Sequence, residues 1–404
     1  MPKLIALIPI FLLLLTDTKS ISSYLSIVEK INTENVLPID LQIKIEKDRI
    51  FGINDNVLMG TIRSIYVDQK NRVFIGDSDQ TKIHVFEPNG KYVTSLGRKG
   101  RGPGDYSAIS WRTTITSDSE FIYITDSSFF NPRRANVYAL DDLSFSHVLK
   151  LYSDDLDEYE LLRGYGPTTL YPEKDGTFLV PYSKTIKNVS TGTGYIFYLK
   201  QDIQGNILSE PIYKQEGVSY LIELVTKNKM SMEVMHTFPF HGSSLFTASS
   251  EGIYYSARTE EFKIDVLDKE GKLIRTIEHP FDNKALDVKA LIKRYEQTNY
   301  MSQLGEGVAV EMLRNAESLP TEWPALKSMQ IDNENRLWIS TIVDDTSIYE
   351  WWVIESSGKL ITKFIWPRNK PIQQIRNGCI YTKERDETGA EYVVKYRFEF
   401  KEKQ

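Results

Sequence analysis

Apolar and polar positions alternate in short runs along most of the chain, and the runs come in fours. The clearest set is Ser64–Asp68, Arg72–Asp77, Lys82–Phe86 and Lys91–Leu96, with turn-forming residues such as Asn89-Gly90 between them. A period of two sends successive side chains to opposite faces of an extended strand, so this set predicts a four-stranded antiparallel meander. Its second strand recurs at Ile122–Asp126, Phe178–Pro181, Ile253–Ser256, Leu337–Ser340 and Cys379–Thr382. The six starts are 42 to 84 residues apart, as expected for a unit of roughly 40 residues repeated with insertions.

The turn between third and fourth strands is marked by Gly90-Lys91, Gly205-Asn206, Gly271-Lys272 and Gly358-Lys359, where glycine meets the positive φ of a tight turn. In the second copy Asp141-Asp142 stands in that place. The last copy ends with a third strand at Tyr392–Phe398, and the alternating stretch Ile39–Ile45 has no partner upstream. Joining the two completes the last sheet and leaves no open edge in a circular array. The pattern therefore predicts an all-β fold: a six-bladed β-propeller of four-stranded antiparallel blades over residues 39–400, closed by an N-terminal strand that joins the last blade.

The units resemble NHL-type repeats. Leu96-Gly97-Arg98-Lys99-Gly100-Arg101-Gly102-Pro103-Gly104-Asp105-Tyr106 resembles the Gly-rich segment after the outer strand in bacterial six-bladed propeller proteins. Trp323–Asp332 with Asn335–Ile339 is similar to that family's fifth blade. The resemblance implies the fold and leaves the activity open, since propellers carry unrelated functions.

Composition agrees with a packed globule: 41% of the 404 residues are hydrophobic and 26% charged, which excludes collagen, a disordered tail and a polytopic membrane protein. The 23 Tyr, 18 Phe and 6 Trp favour pleated, half-buried surfaces. A formal charge of −6 argues against a nucleic-acid binder. Met1–Ser20, with Lys3, an apolar run from Leu4 to Leu15 and a polar end, reads as a secretory signal peptide, followed by a linker over 21–38. As a helix the apolar run would rise about 18 Å, too little for a bilayer core of roughly 30 Å, so no stable membrane span is expected after cleavage. The expectation is an exported monomer, periplasmic or extracellular. The single cysteine, Cys379, allows no intramolecular disulfide and reads as a small buried thiol.

Long excursions at 97–110, 183–194, 216–241 and 282–325 follow second or fourth strands, so all fall on one rim of the ring, which is the expected working face. The last of them, between blades 4 and 5, has helical spacing at Val288, Leu291, Ile292 and Tyr295, and again at Val308, Met312 and Leu313. It reads either as a lid over the rim or as helices packed on the blades.

On this rim Arg98, Lys99, Arg101, Phe129, Phe130, Arg133, Arg134 and Arg258 make a candidate basic, aromatic mouth for an acidic glycan or a peptide carboxylate. Gly97–Gly104 reads as an inter-blade turn or an anion contact; it lacks the spacing of a P-loop. Asp77 and Asp126 end second strands near the channel, with Asp344 and Asp345 in the matching loop of blade 5. They read as turn caps, or as ligands of Ca²⁺ or another divalent cation. His236 and His241 match no zinc signature, and no Gly-x-Ser-x-Gly elbow is present. The expected function is a non-enzymatic scaffold, without cofactor, that binds a protein, peptide or glycan. The alternative is a metal-dependent hydrolase or lyase with a channel-bound divalent cation; sugar-lactone hydrolases with six-bladed propellers bind a metal in the channel, with a ligand set that has no position-by-position match in this sequence.

Overall fold

The computed structural model describes residues 41–52, 57, 59–127, 132–151, 160–184, 194–227, 230–298, 307–316 and 319–402. The expected signal peptide, the linker, Phe129 and Phe130 lie outside the described residues. Six antiparallel sheets follow one another along the chain. Blade 1 is β2 (Ile62–Val67), β3 (Val73–Asp77), β4 (Lys82–Phe86) and β5 (Tyr92–Leu96); blade 2 is β6 (Ile115–Ser117), β7 (Phe121–Asp126), β8 (Arg134–Ala139) and β9 (Phe145–Lys150). Blade 3 has a split inner strand, β10 (Tyr165–Pro167) and β11 (Tyr171–Pro172), then β12 (Phe178–Lys184), β13 (Tyr195–Gln201) and β14 (Tyr213–Glu216). A hairpin, β15 (Leu221–Lys227) and β16 (Met230–His236), precedes blade 4: β17 (Ser244–Ala248), β18 (Tyr254–Arg258), β19 (Lys263–Leu267) and β20 (Leu273–Glu278). Helices α1 (Val288–Thr298) and α2 (Val308–Asn315) lead to blade 5: β21 (Leu326–Ile331), β22 (Leu337–Ile342), β23 (Ile348–Ile354) and β24 (Leu360–Pro367).

Blade 6 is β25 (Ile372–Arg376), β26 (Cys379–Arg385) and β27 (Glu391–Glu402), completed by β1 (Leu41–Phe51) as the outer strand. The register runs from Leu41 opposite Glu402 to Phe51 opposite Val393. The closing strand expected over Ile39–Ile45 is therefore real and longer than its clearest alternation, because a bulge at Asp48 shifts the pattern by one residue. Asp48 lies against Lys395 and Arg397 of the opposite strand, each at 3.1 Å.

Each strand serves two neighbours. In β3, Val73 and Ile75 pack toward blade 6 and Phe74 packs toward blade 2. The apolar core is thus six seams, one between each pair of adjacent blades. The seam between blades 3 and 4 has the smallest buried cluster, Leu179, Tyr198, Tyr254 and Leu267. Polar links supplement it: Glu173 meets Lys200 and Tyr254, and Gln215 donates to Ala257. At the closing seam Glu391 accepts from the backbone N–H of Ile62 at 2.6 Å, and Gln374 accepts from that of Val67 at 2.5 Å. Cys379 is a buried free thiol, as expected, and burial pushes its pKa up.

The turn glycines Gly90, Gly205, Gly271 and Gly358 adopt φ between 78° and 96°. Where blade 2 has aspartates instead, Leu143 carries the positive φ, at 62°. Pro181, within β12, has a local explanation. Its carbonyl accepts from Thr168, so its missing N–H faces the inner strand, which is broken there between β10 and β11.

Asp48 and Glu391 test this closure. Burial alone would raise both carboxyl pKa values; hydrogen bonds and charge from Lys395 and Arg397 lower that of Asp48, and those from Arg385, Ile62 and Lys383 lower that of Glu391. A depressed folded-state pKa stabilises above the unfolded value and the benefit disappears as pH falls through the folded one. The melting temperature should therefore drop below about pH 4.5, and Asp48→Asn should flatten that acid limb of a melting curve recorded against pH.

Candidate functional site

Loops after second strands and between blades share one face of the ring, and most of the long ones are there. Apart from the 202–212 connection of blade 3, the opposite face is closed by short turns, many tied by an Asp or Ser that caps its own backbone, as Asp332 and Asp268 do. The helical insertion belongs to the elaborated face. Its expected apolar stripe packs with Phe238 and Phe240, which follow β16, into a small core of its own. His241 sits in that core and accepts from the Phe238 N–H at 2.9 Å, and burial pulls its pKa down to about 4. His236 is lowered for the same reason, and both rings pack edge-on against Phe238.

Much of the expected basic mouth is used to hold the loops. Arg134 binds Asp126 through Nε at 2.9 Å and donates to the carbonyls of Arg101, Gly102 and Asp105. It fastens the Gly-rich segment to blade 2. Arg258 likewise donates to the Glu216 and Gly217 carbonyls and pairs with Glu260. Arg98 is exposed beside Asp105 at 3.1 Å; Lys99, Arg101 and Arg133 are exposed.

The Gly-rich segment closes on itself. Gly100 N–H donates to the Tyr106 carbonyl, Tyr106 N–H to the Arg98 carbonyl, and Gly102 N–H to the Asp105 carboxylate. A Cβ on Gly97, at φ 72°, would lie 2.2 Å from the buried Tyr106 ring, so the glycine makes room for that ring. The Gly100 and Gly102 amides are thus spent on the turn.

Asp77 and Asp126 share no hydrogen-bond partner among the described residues. Asp77 accepts from the backbone of Gly60, Asp79 and Gln80, and Asp126 from Ser107 and Arg134. Asp345 caps Ser347, and Asp344 is 3.8 Å from Lys284. Among the described residues no group of three or more His, Cys, Asp or Glu is placed to hold a metal ion. Behind Asp77, the His84 Nδ1 is 2.9 Å from Ser95 Oγ, but its Nε2 is 3.6 Å from Asp77, beyond hydrogen-bond reach. With Ser95 in the middle of a regular strand, these three form a cross-strand polar ladder rather than a nucleophilic relay.

A cavity of about 500 Å³ elsewhere on the same face spans blades 2 and 3 and the connection to blade 4, and it was not found by sequence reasoning. Trp111 and Arg112 come from the segment before β6, Thr168 and Thr169 from the break between β10 and β11, Ser183 and Lys184 from the end of β12, and Tyr195 and Tyr220 from the far side. The Arg112 guanidinium lies 4.4 Å from the Trp111 ring centre, and burial lowers its pKa. Lys214 sits 3.7 Å over the Tyr195 ring. Trp111 is 68% exposed, an unusual state for the largest apolar side chain.

A family profile described as a 6-bladed beta-propeller matches residues 53–249. The chain is a six-bladed β-propeller. Its fold is similar to that of a DUF4221-family protein from Bacteroides vulgatus, at 10% identity and TM-score 0.50, covering 90% of this chain and 99% of that one. A protein from Bacteroides fragilis, named as a supposed exported protein, has 12% identity and TM-score 0.48 over 90% and 98% of the two chains. The virginiamycin B lyase of Staphylococcus aureus has 9% identity and TM-score 0.41 over 88% and 99%. No curated protein matches the sequence.

Two substitutions separate holding from exposed cations on the propeller's rim. Arg134→Ala leaves the buried Asp126 carboxylate without its ion partner and should cost about 2 kcal/mol in urea unfolding. Arg98→Ala, at an exposed pair, should change stability by less than about 0.5 kcal/mol.

Proposed function

We propose that this propeller is an exported, non-enzymatic scaffold that binds a ligand on its loop-rich face, in the cleft around Trp111. The observation that carries the reading is the exposed Trp111 ring on the wall of a concave site of about 500 Å³, within the size range of small-molecule and oligomer-fragment sites. Indole is costly to leave in water and is a frequent energetic anchor in recognition. Export rests on the signal-like pattern of Met1–Ser20, and no helix among the described residues is long and apolar enough to cross a membrane. The protein works as a monomer with a glycan, peptide or protein partner, in the periplasm or outside the cell, and needs no cofactor. The carboxylates that a metal-dependent hydrolase would use, Asp77 and Asp126, are engaged as local caps, which favours the binding reading.

Tryptophan fluorescence of the purified protein, titrated with neutral and acidic oligosaccharides and with short peptides, tests the reading. At least one probe class should bind, and Trp111→Ala should weaken it tenfold or more while leaving the melting temperature within about a degree, because the ring is exposed. Binding unaffected by Trp111→Ala would place the site elsewhere. Dialysis against EDTA should change neither the melting temperature nor the affinity; a chelator-sensitive transition together with one divalent ion per chain would revive the metal-dependent alternative.

A further inference from the structure

The charge around the cleft is at odds with the rest of the molecule. The chain has 55 Asp and Glu against 49 Lys and Arg, yet among the described residues no carboxylate lines this cavity, whereas Arg112 and Lys184 both do. Arg112 is half-buried and stacked against Trp111, so its charge is held where water solvates it less than at an open surface. A cation in such a place gains more from an anion than an exposed lysine does, and a guanidinium matches a carboxylate with two parallel donors. Lys184 belongs to the same wall system, lying 5.1 Å over the Tyr165 ring.

Two further features narrow the class. Thr114, Thr168, Thr169 and Ser183 line the wall beside Trp111, Tyr195 and Tyr220; Thr168 Oγ1 donates to the Pro181 carbonyl at 3.2 Å and Thr169 Oγ1 to Thr114 Oγ1 at 2.9 Å, so the threonines offer the cleft acceptor oxygens rather than donors. Acceptor lone pairs suit a ligand that is itself rich in hydroxyl donors. An exposed aromatic plate suits one with a flat C–H face. A pyranose ring that bears a carboxylate offers all three elements together: an apolar face, a ring of hydroxyls and a negative charge. A peptide carboxylate would satisfy the two cations without using the plate and the hydroxyl row in concert.

We propose that the cleft is a site for an acidic saccharide, a short uronate-containing oligosaccharide, with Trp111 as its stacking platform and Arg112 and Lys184 as its carboxylate contacts. The inference rests on the binding reading above and goes further by naming the ligand class. The sugar ring lies on the indole, its carboxylate is paired with the guanidinium, and the threonine row faces its hydroxyls. Complementarity of charge then sets selectivity for acidic over neutral sugars.

The experiment is a titration of the purified protein with trimers of galacturonate and mannuronate and a hyaluronan tetrasaccharide. Galactotriose serves as the neutral comparison and a hexapeptide with a free carboxyl terminus as the non-sugar one. At least one uronate should bind tenfold or more tighter than galactotriose, with the preference shrinking as salt is raised. Arg112→Gln with Lys184→Gln should abolish the preference without lowering the melting temperature, and Trp111→Ala should abolish binding. Equal affinity for galactotriose, or Trp111-dependent binding of the hexapeptide alone, would overturn the acidic-saccharide assignment and leave the scaffold reading standing. Silence of every probe, with fluorescence unchanged, would overturn both.

Discussion

The pairing of β1 with β27 is the interaction on which the other contacts depend. A blade in this ring buries both faces of its sheet, one against each neighbour, so an unclosed ring would leave two apolar faces, those now joined as the seam of Phe51, Val67, Ile75 and Tyr381, open to water. Closure also orients the chain: once every blade begins at the channel and ends at the rim, inter-blade loops have only one face on which to grow. The elaborated face, the helical satellite core and the Trp111 cleft are consequences of that geometry.

The repeat made most of the fold legible, because period-two alternation and positive-φ glycines are local signals that the tertiary structure obeys. They identified all six second strands and the four glycine turns. The signal weakened where the chain breaks its own rule. In blade 3 the inner strand is interrupted opposite Pro181, and two- and three-residue strands carry too little alternation to be read. The full length of β1 was hidden for a related reason, since the bulge at Asp48 inverts the phase of the pattern halfway along.

The site was less legible because the relevant property was exposure, which sequence does not encode. Arg134 and Arg98 are both arginines in Gly- and Pro-rich surroundings, yet one is locked to Asp126 and three carbonyls and the other stands in solvent. Trp111 is a single aromatic outside any alternating run, and nothing in Ser110-Trp111-Arg112 distinguishes a buried indole from an exposed one. The lining of the cleft comes from segments more than a hundred residues apart, from Trp111 to Thr237, brought together by the order of the blades. Turn capping by Asp77 and Asp126 was easier to anticipate, because a short acidic side chain at a strand end meets backbone N–H groups within its own loop or the adjoining one.

The closing strand has a kinetic side. Synthesis delivers β1 before blade 1 and its partner β27 only after blade 5, so among the described strands this pairing spans the longest stretch of chain, and loop closure over that span slows folding. Until then β1 is an unpaired edge with Ile43, Ile45 and Ile50 among its apolar side chains, the kind of segment that recruits foreign strands. Lys44, Glu46, Lys47, Asp48 and Arg49 interrupt that apolar edge. Charges placed along an apolar edge disfavour pairing with foreign strands, and two of these, Lys44 and Asp48, pair with β27 once the ring is closed.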